Sequence, residues 1–155
     1  MLDGYEVGSS VTARALHQMP MEGPEGELHA HDYRFDVVVG RRELDEHGMV
    51  CDLDALRAAL QQLVARIDGK DLEEIRPPEA EAVTVEVLAR WAHRSLVPAL
   101  QQAGGDTLSV RVWETPSDFG GYAGPEVAKD REKTAAWRRI LEQTTAGLLR
   151  QSEEA

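Results

Sequence analysis

The chain has 155 residues and a hydrophobic content of 42%, which suit one soluble globular domain that buries a core. Its formal net charge of −11 argues against nucleic acid and against an anionic membrane as partners, because binding to phosphates needs clustered Lys and Arg. The only cysteine, Cys51, cannot form an intrachain disulfide. With no recognisable signal peptide and no membrane-length apolar run, we expect a cytoplasmic location.

The first third of the chain predicts a long antiparallel β-hairpin. Residues 5–17 alternate between apolar and polar side chains and predict the first strand. After a loop rich in Pro and Gly, residues 27–39 form the clearest strand of the sequence, and residues 40–48 form a turn. The two strands therefore pair with each other.

Two amphipathic helices are predicted next. Asp52 is a suitable N-cap for a helix over residues 53–67, whose leucines recur at helical spacing. Thr84 can cap a second helix over residues 85–102. Pro98 either kinks this second helix or marks a break in it.

The remainder of the chain predicts two more strands and a tail. Residues 107–114 read as a third strand and residues 120–122 as part of a short fourth one. A third helix is predicted from residue 125 onwards, where an apolar stripe crosses a charged segment. The expected organisation is an α+β domain over 1–124 and a C-terminal helical extension over 125–155, which belongs to the same domain or contacts another subunit.

A group of histidines is the strongest functional signal. His29 and His31 lie two residues apart in a predicted strand and so point to the same side, while His17 lies on the paired strand. Three imidazoles can hold a catalytic zinc ion with one position left open. Glu27 has the same parity and could act as a general base beside the metal. The alternative is that these are solvent-facing histidines and a solvated carboxylate.

The other candidates carry weaker signals. Asp68 follows the first helix and could be catalytic or only part of a helix stop. Glu114 ends an apolar strand, where it could accept two parallel N–H bonds from an amide and amino edge or could be a surface charge. Cys51 is interpreted as a packing residue, and His47 and His93 as surface residues.

Four groups of residues match, in order, the signatures of one enzyme family. They are Ala15-Leu16-His17, the run from Leu28 to Tyr33, the run from Gly48 to Leu53, and Thr84-Val85-Glu86 together with Trp113-Glu114-Thr115. The chain thereby resembles the 6-pyruvoyl-tetrahydropterin synthase family, which includes the 6-carboxytetrahydropterin synthases. The resemblance covers about residues 10–123.

The resemblance implies a T-fold, in which a four-stranded antiparallel sheet carries two helices on one face. The subunits of this fold assemble around a barrel, usually as a hexamer. The resemblance also implies zinc on His17, His29 and His31, and a pterin ring held by Glu114 with help from Thr84 and Glu86. The zinc ion would act as a Lewis acid on the side chain of the substrate.

The chain departs from the family pattern at positions that determine which residue would act as the catalytic base. Most members carry a cysteine four residues before the His-x-His pair, where this chain has Glu25. A subgroup has Pro-x-x-Glu-x-His-Gly-His instead, which this chain matches except at Ala30, so Glu27 is the expected base. The Asp-His pair that follows the first helix in the family reads Asp68-Gly69 here.

These features together predict a zinc-dependent lyase. It would act on the side chain of a dihydroneopterin-type or related small molecule, by deprotonation and C–C or C–O cleavage. One alternative is a relative that serves specialised metabolism as a cyclase or lyase on a non-pterin substrate. Another is a non-catalytic binding or assembly protein.

Overall fold

The computed structural model describes residues 3–124, which form one antiparallel sheet with two helices packed on one face. This arrangement confirms the predicted α+β class and the predicted order of elements within that range. The helix predicted from residue 125, and with it the apolar stripe of the tail, lies outside the described residues. No helix in the described part is long and apolar enough to cross a membrane.

The four strands lie in the sheet in chain order. They are β1 (Tyr5–His17), β2 (His29–Arg41), β3 (Thr107–Trp113) and β4 (Phe119–Gly124). The predicted hairpin is confirmed, since β1 and β2 pair along their whole length. Strand β2 starts two residues later than predicted, because the chain makes a short 3₁₀ turn over Pro24–Gly26 before it enters the sheet.

Both helices begin at the caps that the sequence predicts. Helix α1 (Leu53–Ala65) starts after Asp52, whose carboxylate accepts hydrogen bonds from the backbone amides of Asp54 and Ala55. Helix α2 (Val85–Ala103) starts after Thr84, whose hydroxyl accepts a hydrogen bond from the Val87 amide at 3.2 Å. Pro98 lies inside α2 and does not end it, since α2 continues to Ala103.

The core lies between the helices and the helix-facing side of the sheet. Alternate residues of the strands are buried there, and the side chains of Phe35, Val37 and Val39 are fully covered. The same parity, followed back along β2, brings His31 and His29 to the helix-facing side at one end of the sheet. The alternation of side chains that buries the core residues of β2 therefore also directs His29 and His31 to the helix-facing side.

The prediction that His93 is a surface residue is wrong, whereas His47 is exposed as predicted. His93 lies on the sheet-facing side of α2 and is only 1% exposed. Its Nε2–H donates to the Leu108 carbonyl at 3.2 Å, and its ring contacts that of Tyr122 at 4.8 Å. An imidazole can be buried in the core because this backbone carbonyl satisfies its polar atom.

Candidate metal centre

The three predicted histidine ligands meet at one end of the β1–β2 hairpin. The strand register places His17 directly opposite His29, and His31 opposite Ala15. The imidazole centroids are 4.4 Å apart for His17 and His29, 5.1 Å for His17 and His31, and 4.7 Å for His29 and His31. The rings therefore form a compact cluster.

The protonation of the rings leaves their Nε2 atoms available to a metal ion. The Nδ1–H of His17 donates to the Val83 carbonyl at 3.3 Å, and that of His29 donates to the Glu27 carbonyl at 2.7 Å. Because a carbonyl can only accept, Nδ1 carries the proton in both rings and Nε2 presents its lone pair. The Nε2 atoms of all three histidines are buried without a hydrogen-bond partner among the described residues. These donor atoms fit a zinc ion.

Two carboxylates flank the histidine cluster. Glu25 Oε2 lies 3.2 Å from His29 Nε2, and its side chain is 56% exposed. Glu114 Oε1 lies 3.0 Å from His31 Nε2 and 3.6 Å from His17 Nε2, with 27% of its side chain exposed. Donor atoms of Glu25 and the three histidines all lie within 4.8 Å of one another. The sequence could have indicated a role for Glu25 at the metal through its position four residues before His29.

Glu27 contributes to the cluster through its backbone. It follows the 3₁₀ turn with an extended backbone and lies two residues before β2 begins. The predicted strand boundary is therefore wrong by two residues, and the predicted direction of the Glu27 side chain stays a prediction. Its side chain is exposed, and among the described contacts none brings a Glu27 carboxylate oxygen within 4.0 Å of an imidazole nitrogen. The role of Glu27 as base stays a prediction.

Tyr33 is a residue of the site that the sequence reasoning missed. Its ring lies 6.1 Å from that of His17 and 5.6 Å from that of His31, and its buried hydroxyl has no hydrogen-bond partner in residues 3–124. Burial raises the pKa of Tyr33, and the charges of Glu114 and Glu25 raise it further, so the hydroxyl stays protonated. The sequence could have indicated this, because Tyr33 lies two residues after His31 and therefore points to the same side of β2 as both histidines.

The start of α2 is joined to the histidine cluster through the bond from His17 to Val83, the residue before Thr84. Thr84 uses its hydroxyl as the helix cap, and Glu86 is exposed in the first turn. In the described part of the chain, no hydrogen bond joins either side chain to Glu114. Their role in holding a ligand stays a prediction.

Asp68 lies at the outer edge of β1. Its Oδ1 accepts a hydrogen bond from the Arg14 amide at 3.0 Å, and its side chain is exposed. Gly69 donates to the Arg14 carbonyl at 2.7 Å, so the segment after α1 is bound to the edge of the sheet. The structure does not place Asp68 in the histidine cluster, and its catalytic role stays a prediction.

Cys51 is buried, with 4% of its surface exposed, as its interpretation as a packing residue requires. Burial raises the pKa of its thiol, and the neighbouring Asp52 adds to the effect. A thiol with a raised pKa is a poor nucleophile near neutral pH.

The stability of the metal-free protein will fall as the pH drops below about 6.5. Burial lowers the pKa of His17, and the neighbouring His29 and His31 lower it further, against the opposing effects of the Val83 carbonyl and Glu114. The unfolded chain then binds more protons than the folded one below the ordinary histidine pKa, so the stabilisation present above it is lost on acidification. Urea unfolding between pH 7.5 and 5 measures this slope. The slope should be smaller in His17→Asn, and an equal slope in both proteins would contradict the assignment.

Comparisons with known proteins match this architecture. The family model described as 6-pyruvoyl tetrahydropterin synthase matches residues 10–125. A 6-carboxy-5,6,7,8-tetrahydropterin synthase from Aquifex aeolicus is 30% identical over 118 residues, covering 61% of this chain and 73% of that protein.

Solved structures agree in fold. The 6-pyruvoyl tetrahydropterin synthase of Plasmodium falciparum superposes with a TM-score of 0.66 at 13% identity, covering 79% of this chain and 99% of that one. A Plasmodium vivax 6-pyruvoyltetrahydropterin synthase, in which a catalytic glutamate is replaced by alanine, gives a TM-score of 0.66 at 14% identity with the same coverage. These similarities confirm the predicted T-fold. Because the family model matches most of its length, the chain belongs to the 6-pyruvoyl tetrahydropterin synthase family.

Proposed function

We propose that this protein is a zinc-dependent lyase that acts on the side chain of a dihydroneopterin-type or related small molecule. The observation that carries the proposal is the convergence of three buried Nε2 atoms, which have no hydrogen-bond partner among the described residues, with carboxylate oxygens of Glu25 and Glu114 3.0–3.6 Å away. Gathering these nitrogen and oxygen donors in one place costs free energy, which a bound metal ion would offset. Membership of the family supports a pterin as the class of substrate.

His17, His29 and His31 would hold the zinc ion. The carbonyl groups of Val83 and Glu27 keep the first two imidazoles in the tautomer that a metal requires. A zinc ion held there supplies Lewis acidity, which favours the loss of a proton from a hydroxyl group of the substrate.

Protein groups around the histidines would bind and orient the substrate. The carboxylate of Glu114, at the end of β3, can accept two parallel N–H bonds from the amide and amino edge of a pterin ring. The buried Tyr33 hydroxyl can donate a hydrogen bond to an oxygen of the substrate. Thr84 and Glu86, at the start of α2, would complete the ring-binding side of the site.

A carboxylate would serve as the base. We propose Glu27 for this role, because it occupies the glutamate position of the Pro-x-x-Glu-x-His pattern that precedes His29. A related Plasmodium vivax enzyme also has a catalytic glutamate. Glu27 would accept a proton from the side chain of the substrate and so start C–C or C–O cleavage. Asp68, exposed at the edge of β1, would act as a second catalytic group at the interface with a neighbouring subunit.

We also propose that the protein assembles as a homo-oligomer, and specifically as a hexamer.

Metal analysis combined with product analysis tests this function. We expect the purified protein to contain about one zinc ion per chain and to convert dihydroneopterin triphosphate into a side-chain-cleaved pterin, which chromatography with fluorescence detection resolves. Chelation should abolish the reaction and added zinc should restore it. Absence of both stoichiometric zinc and turnover would contradict the proposal.

A second candidate function is a lyase or cyclase that has kept zinc but acts on a non-pterin substrate. Gly69 favours it, because the family pattern has a histidine at this position. Gly69 adopts a φ of 73°, which strains residues with a side chain, so the backbone here is suited to glycine. Stoichiometric zinc without turnover of any dihydropterin would support this candidate. Pterin binding without zinc or turnover would instead indicate a binding protein.

A further inference from the structure

We infer that Glu25 is the fourth metal ligand in the substrate-free protein, so that the site has a His₃Glu donor set. This inference rests on the metal site of the proposed function, and it assigns a role to a residue that occupies the cysteine position of other family members. The carboxylate would close the coordination position that a catalytic zinc site otherwise leaves to water or substrate.

The geometry of the donor atoms supports the assignment. Glu25 Oε2 lies 3.2 Å from His29 Nε2, and all four donor atoms lie within 4.8 Å of one another. Nitrogen and oxygen ligands about 2.0–2.2 Å from a tetrahedral zinc ion are separated from each other by roughly 3.3–3.6 Å. The 3.2 Å distance between Glu25 Oε2 and His29 Nε2 is close to that separation, and rotation of the side chains would close the wider spacings of the set, which reach at most 4.8 Å.

The turn before β2 holds Glu25 in place above the histidines. The Glu25 carbonyl accepts a hydrogen bond from the Met19 amide at 2.8 Å, and the Gly26 carbonyl accepts one from Gln18 Nε2 at 2.6 Å. A Cβ atom at position 26 would collide with the Met21 carbonyl, so the close approach of the two segments requires glycine there. The backbone on both sides of Glu25 is therefore anchored.

Neighbouring carboxylates are less suited to this position. Glu114 approaches His17 and His31 but does not belong to the group of four mutually close donor atoms. Glu27 uses its carbonyl to orient His29 and has no carboxylate contact with the cluster. These positions leave Glu114 free to bind a ligand and leave Glu25 to complete the metal site.

We expect Glu25 to be a displaceable ligand, because it is the most exposed of the four side chains. Its side chain is 56% exposed, against 6% for His17, 23% for His29 and 21% for His31. A solvated carboxylate can rotate away when an oxygen of the substrate competes for the same position, whereas the less exposed imidazoles, two of them fixed by backbone carbonyls, stay in place. Glu25 would therefore occupy the fourth coordination position between turnovers and leave it when the substrate binds.

Cobalt substitution tests the inference without measuring turnover. The metal-free protein is reconstituted with Co²⁺, whose visible absorption is intense for four-coordinate sites and weak for six-coordinate ones. We expect Glu25→Gln to lower Co²⁺ affinity by roughly 10- to 100-fold and to change the visible spectrum. Glu22→Gln is the matched control, with the same change of charge on an exposed glutamate three residues away, and should leave both unchanged.

A competing probe tests displacement. Acetohydroxamate binds metals through oxygen and would compete with Glu25 for the same position, so Glu25→Gln should bind it several-fold more tightly than Glu22→Gln does. Equal affinities in the two variants would contradict the inference.

The possible failures are distinguishable. If Glu25→Gln keeps the affinity and spectrum of the original protein while His29→Ala loses the metal, the metal site stands and Glu25 is not a ligand. If Glu114→Gln shows the loss expected of Glu25→Gln, the fourth ligand is Glu114 and the inference is overturned. If the original protein binds neither Co²⁺ nor Zn²⁺, the proposed function itself fails.

Discussion

His29→Ala will purify without stoichiometric zinc, with metal affinity lowered by roughly 100-fold or more. The substitution removes one of three converging Nε2 atoms and leaves two imidazoles, which are too few for a tight catalytic zinc site. The fold should persist, because His29 lies at the end of β2 and its side chain is 23% exposed.

Metal content after dialysis, measured beside circular dichroism, checks this result. His47→Ala is the matched control, since His47 lies in an exposed turn and its side chain is 70% exposed. The control should keep its zinc and all of its activity. Retention of stoichiometric zinc by His29→Ala would refute the proposed ligand set.

Glu27→Gln will lower turnover by roughly 10²- to 10⁴-fold and keep its zinc. Glutamine preserves the size of the side chain and the backbone carbonyl that orients His29, but it cannot accept a proton from the substrate. The loss should therefore fall on kcat, with metal content and stability unchanged.

Steady-state kinetics with zinc-loaded protein measure this effect. Glu22→Gln provides the control, because Glu22 is an exposed glutamate of the same loop and should keep full activity. If turnover survives Glu27→Gln, the base lies elsewhere, and Glu25→Gln would identify it if activity is lost there while the zinc content is kept. The pair of variants separates a proton acceptor from a metal ligand.

Local patterns predicted the framework well. The alternation in β1 and β2, and the helix caps Asp52 and Thr84, depend on residues within a few positions of each other, so they can be recognised without knowing the fold. The two histidines of β2 and the one at the end of β1 follow from the same alternation. These are the features in which sequence and structure agree most closely.

The same reasoning failed at the boundary of β2. The sequence predicts a strand from residue 27, whereas the chain makes a 3₁₀ turn over Pro24–Gly26 and enters β2 only at His29, and the contact between Glu25 and His29 was not predicted. A turn of three residues has no periodicity to detect. Its position over the histidines depends on hydrogen bonds to Met19 and Gln18, which lie several residues earlier.

His93 and Tyr33 illustrate the other kind of failure. A histidine on a helix and a tyrosine in a strand are compatible with either burial or exposure, since both side chains have an apolar body and a polar tip. For His93 the decision came from the Leu108 carbonyl, which lies on a strand formed later in the chain. For Tyr33 it came from its packing in the core, which leaves 1% of its surface exposed.

The sequence by itself determined the elements, the pairing of β1 with β2, the family pattern and the three histidines, because these depend on short-range spacing. Only the tertiary structure decided which carboxylates reach the imidazoles, since Glu25 and Glu114 come from a turn and from another strand. It also decided the tautomers of His17 and His29, because the carbonyls that accept hydrogen bonds from their Nδ1–H groups belong to the segment before α2 and to the turn before β2. The spacing of residues within a strand determines the side to which a side chain points, and the packing of distant segments determines which groups that side chain contacts.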